Sequence, residues 1–241
     1  MKAGCSQPFL ALRLNPHKMD INKLGIFYTN NTVNPESDPR SRTIDLSLQT
    51  IKRASEGKAD IITSVWANIK NNPFKEYISW VQIGGHLNQC LQILHLLYAV
   101  KEKKDYEYVC FLEHDVLYPE GYFDFPDFKK GDSLSNMNYM GIKKEGFQEL
   151  VQLDRPLHQM TMNFHDAIFH FETIFKNALI HNHGVVDYPT NVTRSIWRSE
   201  HPSVHVNHGH HFTSHFSVFG QPTLHQIDYW GNKQDYFPLF D

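Results

Sequence analysis

Three polar residues, Glu113, His114 and Asp115, directly follow an apolar run at residues 108–112. The run is typical of a buried strand. Successive side chains of a strand alternate between its faces, so Glu113 and Asp115 project the same way. Two carboxylates at this spacing can hold a divalent cation, and hard oxygen ligands suit Mg²⁺ or Mn²⁺, which keep waters and bridge to phosphates. The alternative is a solvated strand end in which Asp115 caps a helix.

A second candidate group is rich in histidine. The chain has sixteen histidines, and residues 205–215 contain five of them: His205, His208, His210, His211 and His215. A zinc site needs three or four ligands in a fixed geometry, and the alternative is a surface loop that is rich in histidine. The carboxylate pair combined with one distant histidine would make a mixed site with open positions. Such a site fits a metal that holds a diphosphate better than a closed structural zinc site.

These polar residues depend on the elements that position them. Apolar periodicity predicts alternating strands and helices at residues 23–31, 43–57, 59–66, 86–106 and 108–113. This alternation indicates βαβ units and a largely parallel sheet covered by helices. Ligands of such sheets bind beyond the carboxyl ends of the strands. The first strand also ends in polar residues, so both polar strand ends lie where a site is expected.

The second half of the chain is less regular. A helix is predicted from about residue 166 to residue 181, followed by short strands and the histidine-rich loop. The sequence contains neither an internal repeat nor a low-complexity linker. We therefore expect one domain.

Composition limits the class of protein. Of the 241 residues, 41% are hydrophobic and 13% aromatic, enough for a sizeable core. No run approaches the roughly 18 apolar residues of a membrane span, so we predict none. A net charge of −3 argues against a generally basic nucleic-acid-binding surface, although a local basic groove remains compatible with it. Three cysteines, two of them in apolar segments, suit a reducing cytoplasm, where we expect the protein.

Several nucleotide-binding and hydrolase motifs are absent from the sequence. It has neither the phosphate-binding loop GxxxxGK[ST] nor the dinucleotide motif GxGxxG, and it has no GxSxG or HExxH. The remaining way to use a nucleotide is a fold that binds the diphosphate mostly through a metal ion.

The run FLEHDVLYPEGYFDFP resembles the acidic metal-binding DxD motif of GT-A glycosyltransferases, with Glu-His-Asp in place of the usual residues. LGIFYTNN is similar to the first nucleotide-binding strand of these enzymes, and HPSVHVNHGHHFTSH to a late segment that supplies a metal-binding histidine. IDYWGNKQDYF resembles uncharacterised bacterial and phage members. The similarity keeps this order over residues 24–236. It departs from the family pattern at Glu113, where Asp is usual.

The resemblance implies an α/β fold that is GT-A-like, or Rossmann-like. It has a mostly parallel central sheet flanked by helices and a smaller, irregular acceptor-side half. Residues 1–241 would form a single domain. About 20–125 would bind the nucleotide sugar, and about 126–241 would bind the acceptor.

The resemblance also implies roles for individual residues. Asp115 and His208 would bind Mn²⁺ or Mg²⁺, and Glu113 would contact a metal-bound water, the metal or the ribose. The residues expected to contact the nucleotide sugar are Tyr28, which could stack on the base, Thr29, Asn30, Asn88, Gln92, Glu113 and His114. For Asn88 and Gln92, one helical turn apart, the alternative is a pair of ordinary amides on a helix surface.

The implied activity is transfer of a sugar from a nucleotide sugar, such as a UDP-sugar, to an acceptor hydroxyl. An inverting enzyme needs a base, for which Asp154 and Asp166 are the candidates and His158 and His165 their rivals. Asp166 also fits an ordinary carboxylate in the first turn of a helix. A retaining enzyme needs no such base.

The acceptor could be a glycan, a small molecule or a hydroxymethylated base of phage DNA. The DNA option needs basic residues, which Lys129-Lys130, Lys143-Lys144, Arg194 and Arg198 could supply; otherwise these are solvated charges. A base in a duplex would also have to be flipped out.

Two other functions remain open. A zinc metallohydrolase would use His205, His208 and His210 as ligands, with Asp115 as a bridging ligand or base, and would hold zinc tightly. A binding module without activity would hold a ligand or a structural ion at the strand end.

Overall fold

The computed structural model describes residues 21–29, 40–65, 69, 72–78, 85–149, 151–152, 156–181, 193–206, 216–217 and 223–240. The α-helices in these ranges are α1 (Arg40–Ser55), α2 (Gly85–Lys101) and α3 (Phe164–His181). The strands are β1 (Lys23–Tyr28), β2 (Asp60–Val65), β3 (Lys75–Ile78), β4 (Tyr108–Glu113), β5 (Val116–Leu117), β6 (Asp132–Asn136), β7 (Tyr139–Lys143), β8 (Gly146–Glu149), β9 (Val151–Gln152), β10 (Met160–Asn163), β11 (Thr193–Trp197), β12 (Ser203–Val206), β13 (Phe216–Ser217), β14 (Gln226–Ile227) and β15 (Gly231–Asn232). Short 3₁₀-helices span Leu157–Gln159 and Lys233–Leu239.

Seven strands form the central sheet, in the order β11-β6-β10-β4-β1-β2-β3. Every neighbouring pair is parallel except the two made by β10, which runs antiparallel to β4 and to β6. Helices connect β1 to β2 and β3 to β4, as the predicted βαβ units require. The predicted α/β class, with a mostly parallel central sheet flanked by helices, is confirmed.

Both faces of the central sheet are covered. Leu24 and Ile26 of β1 belong to a core shared with α2 and α3, whereas Phe27 belongs to a core on the opposite face, shared with α1. Strands that are buried on both faces have nearly continuous apolar sequences, which explains why β1 and β4 are evident in the sequence. No helix among the described residues is long and apolar enough to cross a membrane.

The register brings the ends of three strands to one level. Tyr28 at the end of β1 lies opposite Glu113 of β4 and Ser64 of β2. Because β10 is antiparallel, its first residues and the preceding 3₁₀-helix, Leu157–Gln159, lie at the same edge. We call this the carboxyl edge of the sheet, and the opposite one, where β4 begins, the amino edge.

A second sheet of four strands, β5-β12-β7-β8, forms in the later part of the chain. Its apolar core includes Leu117, Val204 and Trp230. β12 pairs with β5, and the Val206 backbone N–H donates to the Asp115 carbonyl at 2.7 Å. The small sheet therefore holds the backbone of the β4–β5 turn.

The structure departs from the sequence prediction mainly between residues 132 and 163. No element is predicted there, yet β6, β7, β8 and β10 form. β6 has the sequence DSLSN, so no apolar run marks it, although Ser133 and Ser135 are buried. The helix predicted at 86–106 ends at Lys101, where the N–H groups of Lys103 and Lys104 donate to the Val100 carbonyl and form a turn.

The link between β8 and the C-terminal segment gives a first prediction. Gly146 has φ +139, and a Cβ there would overlap the Leu224 carbonyl oxygen and approach Thr223 Cγ2 to 2.8 Å. Gly131 also has a positive φ, +87, but open space around it. Gly131→Ala should cost about 1–2 kcal/mol of unfolding free energy from backbone strain alone. Gly146→Ala should cost at least about 1 kcal/mol more, because backbone cannot move aside as a side chain can. Urea unfolding of both variants checks this, and equal midpoints would contradict it.

Candidate active site

The Glu113 carboxylate at the end of β4 is held by three other side chains. Tyr28 Oη donates to Glu113 Oε1 at 2.7 Å. Gln89 Nε2, on α2, donates to Tyr28 Oη at 2.9 Å and to Glu113 Oε1 at 3.4 Å. Glu113 Oε2 lies 3.0 Å from His158 Nδ1. Both oxygens of this carboxylate therefore already have partners within the chain.

Hydroxyl groups fix the backbone on both sides of this carboxylate. The Glu113 N–H donates to Tyr118 Oη at 2.9 Å. Ser47 Oγ, on α1, donates to the Val116 carbonyl at 2.7 Å and lies 3.3 Å from the Glu113 carbonyl. These bonds tie the β4–β5 turn to α1 and leave its backbone little freedom.

Asp115, in the β4–β5 turn, is paired differently. Its Oδ2 lies 3.3 Å from Nε2 of His205, on β12. Its Oδ1 is buried and has no hydrogen-bond partner among the described residues. The rings of His158 and His205 meet edge to face, with centroids 5.4 Å apart. Each carboxylate of the motif thus faces one buried histidine, His158 for Glu113 and His205 for Asp115.

Burial and these contacts set the pKa values at the site. Burial raises the pKa of Asp115, but the charges of His205 and His114 outweigh it and hold that pKa well below its usual range. Burial also raises the pKa of Glu113, and the hydrogen bond and charge of His158 bring it below its ordinary value. Burial lowers the pKa of His205, whereas Asp115 raises it, and the net pKa is above the ordinary value. Both carboxylates are therefore ionised at neutral pH.

Asp115 Oδ1 is the atom at this site that best suits a cation. It belongs to an ionised carboxylate, it is buried, and an imidazole nitrogen lies beside the same carboxylate. Oxygen and imidazole ligands suit Mn²⁺ or Mg²⁺. No group of three or more His, Cys, Asp and Glu side chains in the described ranges is arranged to hold a metal. Further ligands would be water, substrate or residues outside those ranges, so the residues present fit a metal with open positions.

Of the residues predicted to contact a nucleotide, Tyr28 and Thr29 lie at the carboxyl edge with Glu113, and they are deeply buried, as are Asn88 and Gln92 on α2. Tyr28 and Thr29 are 1% and 4% exposed, and Asn88 and Gln92 are 1% and 0% exposed. The interpretation of Asn88 and Gln92 as surface amides is wrong, because both are buried. The Tyr28 ring packs within the core, so the predicted stacking on a base has no exposed ring face to use in this structure.

Of four further predicted residues, the structure describes only one. His114 shares the turn with Asp115 and is 9% exposed. Asn30, Asp154 and His208 lie outside the described residues. Their assigned roles remain predictions.

Asp166 and His165 lie at the amino edge, away from the motif. Both are in the first turn of α3, which begins where β10 ends. Asp166 Oδ2 accepts a hydrogen bond from the Gly131 N–H at 2.7 Å. The length of β4, roughly 16 Å at about 3.3 Å per residue, separates this edge from Glu113. Asp166 thus occupies the position of a first-turn helix carboxylate, the alternative interpretation of this residue.

Two contacts at the site were not predicted from the sequence. Gln89 lies one residue after Asn88, and helical periodicity alone does not tell which of these neighbouring amides reaches the strand ends. His158 is predicted only as a rival base, because its contact with Glu113 depends on the antiparallel pairing of β10 with β4. The weak signal for this contact was a polar pair, His158-Gln159, directly before the alternating sequence MTMN of β10.

The basic residues considered for a nucleic-acid acceptor do not share one surface. Lys129-Lys130 precede β6 and Arg194 lies near the start of β11, so these three are at the amino edge. Arg198 follows the end of β11 at the carboxyl edge, and Lys143-Lys144 lie in the β7–β8 turn. Half of this basic charge therefore lies at the edge opposite Glu113 and Asp115.

No protein-family model matches the chain, and no curated protein does either. Among solved structures, it is similar to a glycosyltransferase involved in the glycosylation of the major capsid of PBCV-1, at 8% identity and a TM-score of 0.46, covering 76% of this chain and 91% of that one. It is also similar to a 4-diphosphocytidyl-2C-methyl-D-erythritol synthase from Anaerococcus prevotii, at 11% identity and a TM-score of 0.44, covering 75% and 90%. A third is the glycosyltransferase GlyE in Streptococcus pneumoniae, at 8% identity and a TM-score of 0.41, covering 72% and 45%. Because all three TM-scores are below 0.5, we draw nothing about function from them.

The hydroxyl of Tyr28 gives a prediction about stability. Tyr28→Phe removes a donor to Glu113 and an acceptor for Gln89 within a buried network. It should lower the unfolding free energy by about 1–3 kcal/mol. Tyr98→Phe is the matched control, because Tyr98 is 46% exposed and its hydroxyl donates to Glu172 at the surface. That variant should lose less than about 0.5 kcal/mol in urea unfolding. Equal losses in the two variants would show that the Tyr28 network does not stabilise the fold.

The raised pKa of His205 gives a prediction about pH. In metal-free protein the folded state binds this proton more tightly than the unfolded chain, whose histidine pKa is about 6.5. The resulting stabilisation is complete below that pH and is lost as pH rises through the folded-state pKa. Asp115→Asn should therefore reduce the fall in unfolding free energy between about pH 6 and pH 9. Asp124→Asn, at a surface carboxylate paired with Lys58, should leave that fall unchanged. A pH dependence identical in wild type and Asp115→Asn would contradict the assignment.

Proposed function

We propose that the protein is a metal-dependent glycosyltransferase that moves a sugar from a nucleotide-sugar donor to an acceptor hydroxyl. The observation that supports this most directly is the position of Asp115. An ionised carboxylate, with one buried oxygen that has no partner in the described part of the chain, lies just beyond the carboxyl end of a parallel strand. That is the place in α/β sheets where ligands bind.

Asp115 and His205 are the proposed metal-binding residues of the described chain. His208, predicted from the sequence, would be a further ligand from the segment that follows β12. Mn²⁺ or Mg²⁺ would neutralise the negative charge that develops on the departing nucleoside diphosphate. The proximity of His205 Nε2 to Asp115 supports its inclusion. The sequence named His208 as the histidine ligand of the transferase and His205 only as a ligand of the alternative zinc site.

Glu113 has a different proposed role. Its two oxygens are engaged by Tyr28, Gln89 and His158, so it acts by holding the strand end and the turn in place. A contact with the ribose, or with a water on the metal, stays part of the proposal because the carboxylate is still 23% exposed. Thr29, Asn30, Asn88, Gln92 and His114 are the proposed surroundings of the nucleoside.

Asp154 is the proposed base for an inverting reaction. Asp166 lies at the amino edge, about 16 Å of strand away from the motif, which is too far for proton transfer at the same site. His158 is 3% exposed and its Nδ1 faces Glu113, which suits a positioning role better than contact with an acceptor. For the acceptor we propose a glycan or a small molecule ahead of modified DNA, because the basic residues do not converge on the carboxyl edge.

A ligand screen tests this function. We expect one nucleotide sugar among UDP-, GDP-, CMP- and dTDP-sugars to raise the melting temperature only when Mn²⁺ is present. A ligand at about 100 times its Kd adds roughly 2.7 kcal/mol of stability. Asp115→Asn should abolish the shift, and Asp124→Asn, the surface control, should keep it. Release of the nucleotide from that donor (UDP, GDP or dTDP, or CMP from a CMP-sugar) then measures turnover.

Two results would overturn the proposal. A shift with zinc alone, and none with any nucleotide, would favour the histidine-rich metallohydrolase. A nucleotide shift that needs no metal and survives Asp115→Asn would remove Asp115 from the binding site.

A further inference from the structure

Helix α3 presents one row of side chains to the outside of the protein. Phe171, on its inner side, is fully buried in the core shared with α2. Phe169 and Ile180 are each 73% exposed, and Leu179 is 60% exposed. Large apolar side chains that are grouped and exposed in this way mark an interaction surface more often than a single one does.

The spacing of the exposed residues is that of a helix-pairing seam. Thr173 and Lys176 are exposed between Phe169 and Ile180, so the four residues follow one another at intervals of four, three and four. At about 100° per residue they lie within about 60° of one another around the helix. The buried seam of a coiled coil has the same spacing. We call these four residues the outer row, and its geometry suits lengthwise packing against another helix.

The outer row matches itself when two copies of α3 run antiparallel. The row is symmetric in its spacing, with a large apolar residue at each end. A two-fold axis through its midpoint therefore places Phe169 opposite Ile180 of the second copy. The same axis places Thr173 opposite Lys176. Both ends of the contact then bury a phenylalanine against an isoleucine, beside the exposed Leu179.

Charge favours the antiparallel arrangement over a parallel one. In a parallel pair in register, the two copies of Lys176 would face each other and repel. In the antiparallel pair, Lys176 lies within one residue of the level of Glu172 of the second copy. Glu172 borders the outer row and accepts a hydrogen bond from Tyr98 Oη, which leaves it further acceptor sites for an ammonium group. The two-fold axis makes this contact twice, and antiparallel helix dipoles add to it.

A second copy suits the outer row better than a lipid surface does. Helices that lie on membranes are rich in Lys and Arg, whereas Lys176 is the one basic residue of this row and the chain has a net charge of −3. A pair of 18-residue helices is only about 27 Å long and buries less than the roughly 1,600 Å² of a standard interface. The dimer should therefore be reversible and depend on concentration.

We infer that the outer row is the interface of a homodimer, in which α3 packs antiparallel against α3 of a second copy of the chain. Phe169 and Ile180 are its apolar contacts, and Lys176 with Glu172 sets the direction of the two helices. Neither Asp115 nor His205 lies on α3, so this interface is independent of the proposed function.

Sedimentation velocity of the full chain over an about hundredfold range of concentration tests this interface. Wild type should change from monomer to dimer. Phe169→Glu should remain a monomer throughout and keep the melting temperature of dilute wild type, because the side chain is exposed in the monomer. Ile196→Glu is the matched control: this residue is 61% exposed on β11, outside the outer row, and the variant should dimerise as wild type does.

Two charge changes test the antiparallel register. Lys176→Glu places a carboxylate beside Glu172 of the second copy, and it does so twice per dimer. It should raise the dimer Kd at least about tenfold, and Glu172→Lys should do the same with two lysines. The double variant with both changes exchanges the charges and should return the Kd to within about threefold of wild type. Non-specific association of apolar side chains would not produce this recovery.

Three results would overturn the inference. One is wild type that stays monomeric over the whole range; a lower melting temperature of Phe169→Glu would then show that another part of the chain covers the outer row. A second is a dimer that survives Phe169→Glu, which would place the interface elsewhere. The third is a Kd that neither single charge change alters, or that the double variant does not recover, which would exclude the antiparallel register.

Discussion

The contact between Glu113 and His158 is the interaction on which the carboxyl edge depends. Burying an ionised carboxylate lowers the stability of the fold unless the carboxylate is paired and hydrogen-bonded. Three separate elements of the chain supply these partners. Tyr28 comes from β1, Gln89 from α2, and His158 from the 3₁₀-helix before β10. Satisfying this one charge fixes where β1 ends, how the first turns of α2 sit, and where the antiparallel strand begins.

The two carboxylates of the Glu-His-Asp motif have become chemically unequal. Glu113 has partners on both oxygens, and its role is to hold neighbouring elements in place. Asp115 keeps one oxygen without a partner in the described part of the chain, and its other oxygen faces His205. The difference arises because the strand ends at Glu113. The register places Glu113 against Tyr28, whereas the turn carries Asp115 beyond the sheet toward β12, so the expectation that the two carboxylates project the same way is wrong. Glu113 therefore supports the site, and Asp115 is the carboxylate that could bind a cation.

β1, β2 and β4 could be predicted because they are buried on both faces and therefore read as apolar runs, whereas the edge strand β3, with the sequence KEYI, was missed. The rule for parallel sheets led us to expect a site at the carboxyl edge, where Glu113 lies at the end of β4. The contact of Glu113 with His158 could not be predicted, because it depends on the pairing of β10, which leaves no local pattern. His205 and Asp115 were brought together only in the alternative zinc site, because the pairing of β12 with β5 leaves no local pattern either. β6 was not predicted because serines occupy two of its buried positions. The contact of Gln89 with Glu113 was not predicted because a single helical step of about 100° decides which of two neighbouring amides faces the sheet.

The wide spacing of the site residues along the chain bears on how the protein folds. Tyr28 and Glu113 are 85 residues apart, and Glu113 and His158 are 45 residues apart. Closing such long loops loses much chain entropy before any contact compensates, so topologies of this kind fold slowly. The network at the carboxyl edge joins the first strand, the second helix and the later half, and it can be complete only when all of them have docked. The ability to bind a ligand there is then a property of the finished fold and of no partly folded intermediate.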